Sequence, residues 1–469
     1  MNKQDRRAII LGKEDVRKGL LYLAIPSIVG MVVNGVYNIV DTIFVGRLGT
    51  SAIGALSVAF PFLMLISAFG IAVGVGAASY ISRSLGAGQR QEAERTAATG
   101  VGMILGLGII LITLGQIWLE PIMRLFGATE TILPQAMIYA RTLLFGAPII
   151  MLKMTLNNML RAEGSAHASM IALISGAVLN MILDPIFIFT LDMGIQGAAV
   201  ATVLAQSIAV CFQLWYYISG RSFLKLSISN FQPSKKIITQ IIKIGIPSIL
   251  TLGLNSMAMA LINNAAAPYG DYAVAAMGIV KRVMSLGMFA IFGYGQGFQP
   301  MAGFNYGAKN FDRLNQAIRF SVRVTTVFTF CAATVFIVFS EMVISWFSND
   351  PLVLQTGARA LRALSIPFPL FGFQIIYFSL FQALGKAIPA GLLSVSRQGL
   401  LLIPAIVILP RFLGLDGVIF AQPTADGLTI IMTSILAFMI NKKLARESRE
   451  HLAFTRQQVA PTKTAQELT

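Results

Sequence analysis

The chain has 469 residues, of which 56% are hydrophobic and 12% charged, and its mean hydropathy is +0.74. That composition excludes an ordinary soluble domain and points to a chain embedded in a lipid bilayer. The formal charge of +16 raises nucleic acid as a partner. However, the basic residues crowd into stretches between apolar runs, so the charge reports membrane orientation and no nucleic-acid partner is expected.

In chain order, the first 19 residues are polar and basic (Lys3, Arg6, Arg7, Lys13, Arg17, Lys18). No short apolar segment with a cleavage site precedes the first apolar run, which argues against a cleaved leader. Twelve apolar runs long enough to span a bilayer follow, near 20–45, 53–80, 98–119, 133–158, 168–190, 195–217, 239–264, 273–298, 318–340, 360–382, 389–410 and 417–440. Further basic residues mark the second, sixth and eighth connections (Arg83, Arg90, Arg95; Arg221, Lys225, Lys235, Lys236; Lys309, Arg313, Arg319) and the tail (Lys442, Lys443, Arg446, Arg449, Arg456, Lys463). The odd-numbered connections are nearly free of them, with Arg47 and Arg124 as exceptions. Basic residues stay on the cytoplasmic side, so both termini are expected there, in a multi-pass cytoplasmic (inner) membrane protein.

The first run carries Asn34, Asn38 and Asp41 at i, i+4 and i+7, one side of a helix. A charge in hydrocarbon costs at least about 2.5–3.5 kcal/mol, so such residues usually face an interior cavity. The plainer reading of Asp41 alone is a carboxylate solvated at the interface. On the fourth run, Tyr139 lies just inside the start and Asn157 far along. The fifth places Asn180 four residues before Asp184, with Pro185 next, which removes an N–H and frees a carbonyl one turn back. The sixth has Thr202 and Gln206 at i, i+4, with Ala198 one turn earlier. Each has a structural reading too: Asp184 as a polar residue beside a kink, Thr202 bonding back to its own helix. Depth joins them. Counted from the outer ends of their runs, Asp41, Asp184, Tyr139 and Thr202 fall in one layer, roughly 6–9 Å below the surface at 1.5 Å per residue. Two carboxylates close together in low dielectric cannot both be charged cheaply, so a shared proton is one reading. An oxygen cage for a hard cation, with the Ala198 carbonyl as a further donor, is the other.

The sixth connection, near 218–238, is the longest polar stretch between runs and reads as the linker between two halves. A shift of 221 residues lays the second half on the first. AIPSI at Ala24 meets GIPSI at Gly245, and Gly49, Gly74, Gly76, Gly86 and Gly164 meet Gly270, Gly295, Gly297, Gly307 and Gly385. Pro26, Arg141 and Pro148 meet Pro247, Arg362 and Pro369. Chance gives about one glycine match over ~145 aligned positions. The expected fold is all-α and integral to the membrane: twelve transmembrane helices as two six-helix bundles related by a parallel internal repeat. An even number of spans inserts both halves the same way, with a cleft between them. The expected units are a cytoplasmic segment 1–19, a first lobe 20–217, a linker 218–238, a second lobe 239–440 and a cytoplasmic tail 441–469.

In the second half, Asp41 aligns with Ile262 and Asp184 with Ala405, so ion coupling is expected in the first half only. Met257, Met259, Met277, Met284, Met288, Phe289 and Phe292 can form an adaptable apolar wall, although such a stripe is more often ordinary packing. Lys153, Lys281 and Arg282 fall inside apolar runs and are candidates to meet an anionic substrate or headgroup. The two histidines, His167 and His451, lie in or beside polar segments. Cys211 and Cys331 are read as buried, separate thiols without a metal or disulfide pattern. No enzyme chemistry and no phosphate-binding loop is evident.

The two-times-six plan, VYNIVDTIFVGRLG, NMILDPIFIF and GIQGAAVATVLAQ resemble the multidrug and toxic compound extrusion (MATE) family over nearly the full length. Asp41, Asn180, Asp184 and Thr202 resemble the first-lobe cation site of its DinF-like prokaryotic branch. The resemblance implies export of amphipathic, often cationic small molecules in exchange for protons or sodium, by a chain working as a monomer in the bilayer without a cofactor. Asp41, Asn180, Asp184 and Thr202 would then be the metal ligands if sodium is the ion, with Tyr139 and Ala198 beside them. Asn34, Asn38, Asn157, Gln206, Met257, Met288 and Phe292 are the candidate substrate cleft. The NorM-like branch carries second-lobe acids on spans seven and ten; this chain has Asn255, Asn263, Asn264 and Gln374 there. The alternative is a flippase of lipid-linked oligosaccharides from the wider superfamily.

Overall fold

A computed structural model describes residues 10–459, which form helices with no strand among them. Eleven helices are long and apolar enough to cross a bilayer, and a bent pair makes the twelfth. In order they are α1 (Val16–Gly46), α2 (Thr50–Gly86), α3 (Arg90–Leu125), α4 (Leu133–Ala162), α5 (Ala166–Pro185) and α6 (Gly194–Ile218) in the first half. The second half holds α7 (Lys235–Ala266), α8 (Asp271–Gly307), α9 (Phe311–Val338), α10 (Pro351–Ser365 and Phe371–Ala383), α11 (Ala387–Val395 and Ile403–Leu413) and α12 (Leu415–Val459).

The repeat seen in the sequence is a repeat of helix starts. Thr50 and Asp271, Arg90 and Phe311, Ala166 and Ala387, and Gly194 and Leu415 each begin a helix, and each pair is 221 residues apart. The glycines explain part of this. Gly49 and Gly270 both stand before a helix at φ +107°, and Gly164 and Gly385 both follow one at φ +86° and +72°. A Cβ is strained in that region, so the repeat preserves glycine where the chain must turn left-handed. Polar caps then fix individual starts. Asp15 accepts from the Arg17 and Lys18 amides, Ser234 from Ile237, and Asn310 from Arg313.

The halves diverge in α10. Pro148 is accommodated inside an unbroken α4, whereas Pro367 and Pro369 break α10 with a bend of 42°. At the break the Thr329 hydroxyl of α9 donates to the Pro369 carbonyl at 2.7 Å. That bond ties the bend of α10 to α9 and satisfies a backbone acceptor where the helix is interrupted.

The two halves meet through α1, α2, α7 and α8. A buried cluster joins Leu20, Leu23 and Ala24 of α1 to Tyr294, Phe298 and Met301 of α8. Closest approach comes at the end bearing most of the basic residues. There Gly86 lies against the Phe304 carbonyl, and Gly307 lies against the Arg83 carbonyl. Residues 83 and 304 are again 221 apart, so the repeat makes the same contact twice. Arg83 adds a bond from Nη2 to Gln240 Oε1 of α7 at 3.2 Å.

The connection between α6 and α7 is held down. Buried Glu163 accepts from the Phe223 and Leu224 amides at 3.0 and 3.1 Å and from the Ser165 and Ser222 hydroxyls. Asn230 reaches Glu94, and the Phe231 ring lies over Gly102 of α3. At the opposite end three basic residues are matched. Arg124 pairs with Glu120 and Glu130, Arg359 with Asp416, and Arg362 with Glu341. The Arg124 guanidinium holds the Glu130 carboxyl below its ordinary range.

One expectation is corrected. Cys211 and Cys331 are exposed, not buried. Apolar neighbours in a spanning helix mark its lipid-facing side as readily as its core, and Ile109, Ile117, Trp118, Phe330 and Phe438 are exposed in the same way.

Candidate functional site

Four helices of the first half converge on one polar cluster. Asp41 and Tyr37 come from α1, Tyr139 from α4, Asn180 and Asp184 from α5, and Thr202 from α6. All are buried; Asp184 is 0% exposed and Asp41 8%. Asn180 Nδ2 donates to Asp184 Oδ1 at 3.1 Å and lies 3.3 Å from Thr202 Oγ1. The Asp41 carboxylate meets that of Asp184, and the Tyr37 hydroxyl meets Thr202. Tyr139 lies near both carboxylates. Asp184 sits on the last regular turn of α5, before a wider turn at Ile186–Thr190 that follows Pro185. Such π turns recur where a helix is re-aimed at a functional site.

Three oxygens of this cluster have no hydrogen-bond partner among the described residues: Asp41 Oδ1, Asp184 Oδ2 and Asn180 Oδ1. A buried acceptor without a donor is destabilising by about 1–3 kcal/mol, so all three can accept a donor or ligate a hard cation, and the two carboxylates can also take a proton. Ala198 is fully buried one turn before Thr202, but α6 is regular there and its carbonyl belongs to the helical ladder. Among the described residues no three His, Cys, Asp or Glu side chains gather as a transition-metal site would require.

The residues grouped as a possible cleft do not stay together. Asn38 bonds back to the Asn34 carbonyl at 2.7 Å, and both are half-buried on α1. Gln206 is buried one turn beyond Thr202, with a partnerless Oε1. Asn157 points into the first half. It bonds Arg161, and its Nδ2 donates to the Ser169 carbonyl at 3.0 Å, so its amide is satisfied inside the first half. Met288 and Phe292 belong to the second half, where Phe292 meets Phe371 edge-on at 6.2 Å. Met257 is exposed. Lys153 is buried within the first half, and Arg282 is exposed on α8.

The second half, expected to lack a matching carboxylate at the aligned positions, has a charge pair elsewhere. Arg397 of α11 pairs with Asp426 of α12 at 2.8 Å, and Gln422 donates to Asp426 at the same distance. The Arg397 guanidinium lies 4.6 Å from the centre of the Phe371 ring. A second π segment, Ser396–Leu402, carries Arg397. The pair could have been found as two lone charges in neighbouring apolar runs. Tyr37 escapes the sequence reading; its one signal is the four-residue spacing to Asp41, which puts both on one helix face.

The comparisons agree with this architecture. The MatE family model matches twice, over residues 26–186 and 247–408, once in each half. The multidrug export protein MepA of Staphylococcus aureus (strain NCTC 8325 / PS 47) is 28% identical over 451 residues, covering 95% of this chain and 99% of that protein. A crystal structure of MATE in complex with MaL6 superposes with a TM-score of 0.89 at 28% identity, over 94% of this chain and 99% of the other. The outward-facing conformation of a multidrug resistance MATE family transporter of the MOP superfamily gives 0.88 at 28% identity, over 93% and 98%. With two family matches laid on two six-helix halves, the chain belongs to the MatE family of multi-pass membrane transporters.

Proposed function

We propose that this transporter exports amphipathic small molecules, cationic ones among them, and that inward flow of protons or sodium through the first-half cluster drives it. The observation that carries the reading is the burial of two facing carboxylates with partnerless oxygens on α1 and α5. Multidrug export by the MepA relative supports the substrate class. α1 is the element placed to transmit the effect. Its Gly30 packs on Leu173 of α5, its Gly35 on Phe289 of α8, and its Ala24 on Gly297 of α8. A proton or sodium ion at Asp41 relieves repulsion from Asp184, so α1 repacks against both halves. By linkage, the ion and the substrate then weaken each other's binding by the same factor. Ethidium efflux is the test, in cells lacking their own pumps, with each gradient collapsed in turn. Efflux that stops with one gradient names the ion; efflux indifferent to both ends the proposal.

The basic end is proposed to face the cytoplasm, with both termini there, following the Lys and Arg distribution. A tag fused after Thr469 is expected to be reachable by antibody only after cells are permeabilised. Labelling of intact cells would reverse the orientation.

A further inference from the structure

The Arg397–Asp426 pair borders a cavity that ion coupling does not use. The cavity takes up about 120 Å³ between α7, α8, α10, α11 and α12, of the order of the ~150 Å³ space that holds a benzene ring. Met259, Met277, Met284, Met288, Phe368 and Phe371 form its apolar wall. Flexible thioethers beside fixed rings give a surface that adapts to its occupant.

Three polar features decide what that occupant is. Among the described residues Asp426 is the only acid lining the cavity, and Arg397 already neutralises it. Lys281 lies on the same wall with no carboxylate within ion-pair distance among the described residues, so the cavity carries one uncompensated positive charge. Gln374 and Gln398, 4% and 5% exposed, line it with side-chain oxygens that have no donor. A wider groove of about 520 Å³ between α7 and α8 shares Met259, Asn263, Lys281 and Ser285 with the cavity. Lys281 therefore stands where the two spaces join.

A cationic ligand would meet the net positive charge left by Lys281 and Arg397 against Asp426, and find that one counter-charge already paired. An acid group would pair with Lys281 by charge-assisted hydrogen bonds, and N–H donors would satisfy the glutamine oxygens. We propose that this cavity binds an amphiphile with an acidic head and a ring-sized apolar body, its acid held by Lys281 and any N–H donors by Gln374 and Gln398. The site goes beyond cation coupling and does not depend on it. The acid can come from an anionic lipid headgroup or from a free aromatic acid.

The test is calorimetric titration of the purified full chain in neutral detergent with benzoate, benzylammonium and benzyl alcohol. Benzoate is expected to bind about tenfold or more tightly than the other two. Lys281→Met should erase that preference and Lys281→Arg should keep it. Gln398→Leu, which leaves Lys281 in place, should weaken 4-aminobenzoate more than benzoate. In nanodiscs, displacement of benzoate by added phosphatidylglycerol assigns the site to a lipid headgroup, and unchanged binding assigns it to a free acid. Equal affinity for the three single-ring probes, or benzoate affinity that survives Lys281→Met, overturns the proposal.

Discussion

Asp41→Asn and Asp184→Asn are each expected to abolish ion-driven efflux while leaving the protein folded and in the membrane. Asparagine keeps the shape and the hydrogen-bonding capacity of the side chain but cannot take up a proton or supply charge to a cation. Carrying a two-state transporter across its midpoint takes a differential affinity of ~10²–10⁴-fold for the driving ion. Loss of that term should cut efflux by roughly two orders of magnitude, to the level of cells without the protein. Stability should not fall. Asp41 and Asp184 face each other while buried, and removing one charge removes a repulsion, so the melting temperature in detergent should hold or rise. A variant that unfolds would show that the pair is structural. A variant that exports normally at equal protein level would show that the carboxylate is dispensable.

The second large effect is expected at the contact between the halves. A Cβ on Gly86 would fall against the Phe304 carbonyl oxygen, and one on Gly307 against that of Arg83. These are backbone atoms of packed helices, which no rotamer change moves aside. Overpacking of this kind costs about 1–3 kcal/mol, or roughly 5–150-fold in the population of the state that holds the contact. Gly86→Ala and Gly307→Ala should therefore favour conformations separated at the basic end and slow efflux about tenfold. Ser82 is fully buried beside this contact. In inside-out membrane vesicles, a cysteine placed there, in a chain with Cys211→Ser and Cys331→Ser, should react slowly with a membrane-impermeant thiol reagent and faster once Gly86→Ala is added. Equal labelling rates with undiminished efflux would remove the contact from the transport cycle.

Much of this was legible because membrane helices carry strong periodic signals. The 221-residue shift paired glycines whose positions prove to be left-handed turns and interhelical contacts, two demands that only a missing Cβ meets. The first-half cluster followed from i, i+4 spacing and depth, since a helix converts residue number directly into height. Tyr37 escaped because an aromatic side chain in an apolar run reads equally well as lipid-facing. Arg397 and Asp426 escaped because neither aligns with a polar residue of the first half, and attention to the repeat hid what breaks it. The π segments at Ile186–Thr190 and Ser396–Leu402 have no local pattern comparable to a cap. They depend on how neighbouring helices pack, which spacing along one helix does not encode. The direction faced by Cys211 and Cys331 was lost for a related reason, since lipid and protein core select the same residues.

The clasp made by Glu163, Glu94 and Gly102 on residues 222–231 changes what the link between the halves is mechanically. From Phe231 to Lys235 only four residue steps remain, a reach of about 14 Å at full stretch. The link is a short leash anchored to the first half, not a loose tether, and it ends at the first turn of α7. Whatever swing opens the basic end, the foot of α7 travels on that leash. The second half must then turn about a point close to α3 rather than slide away as a whole.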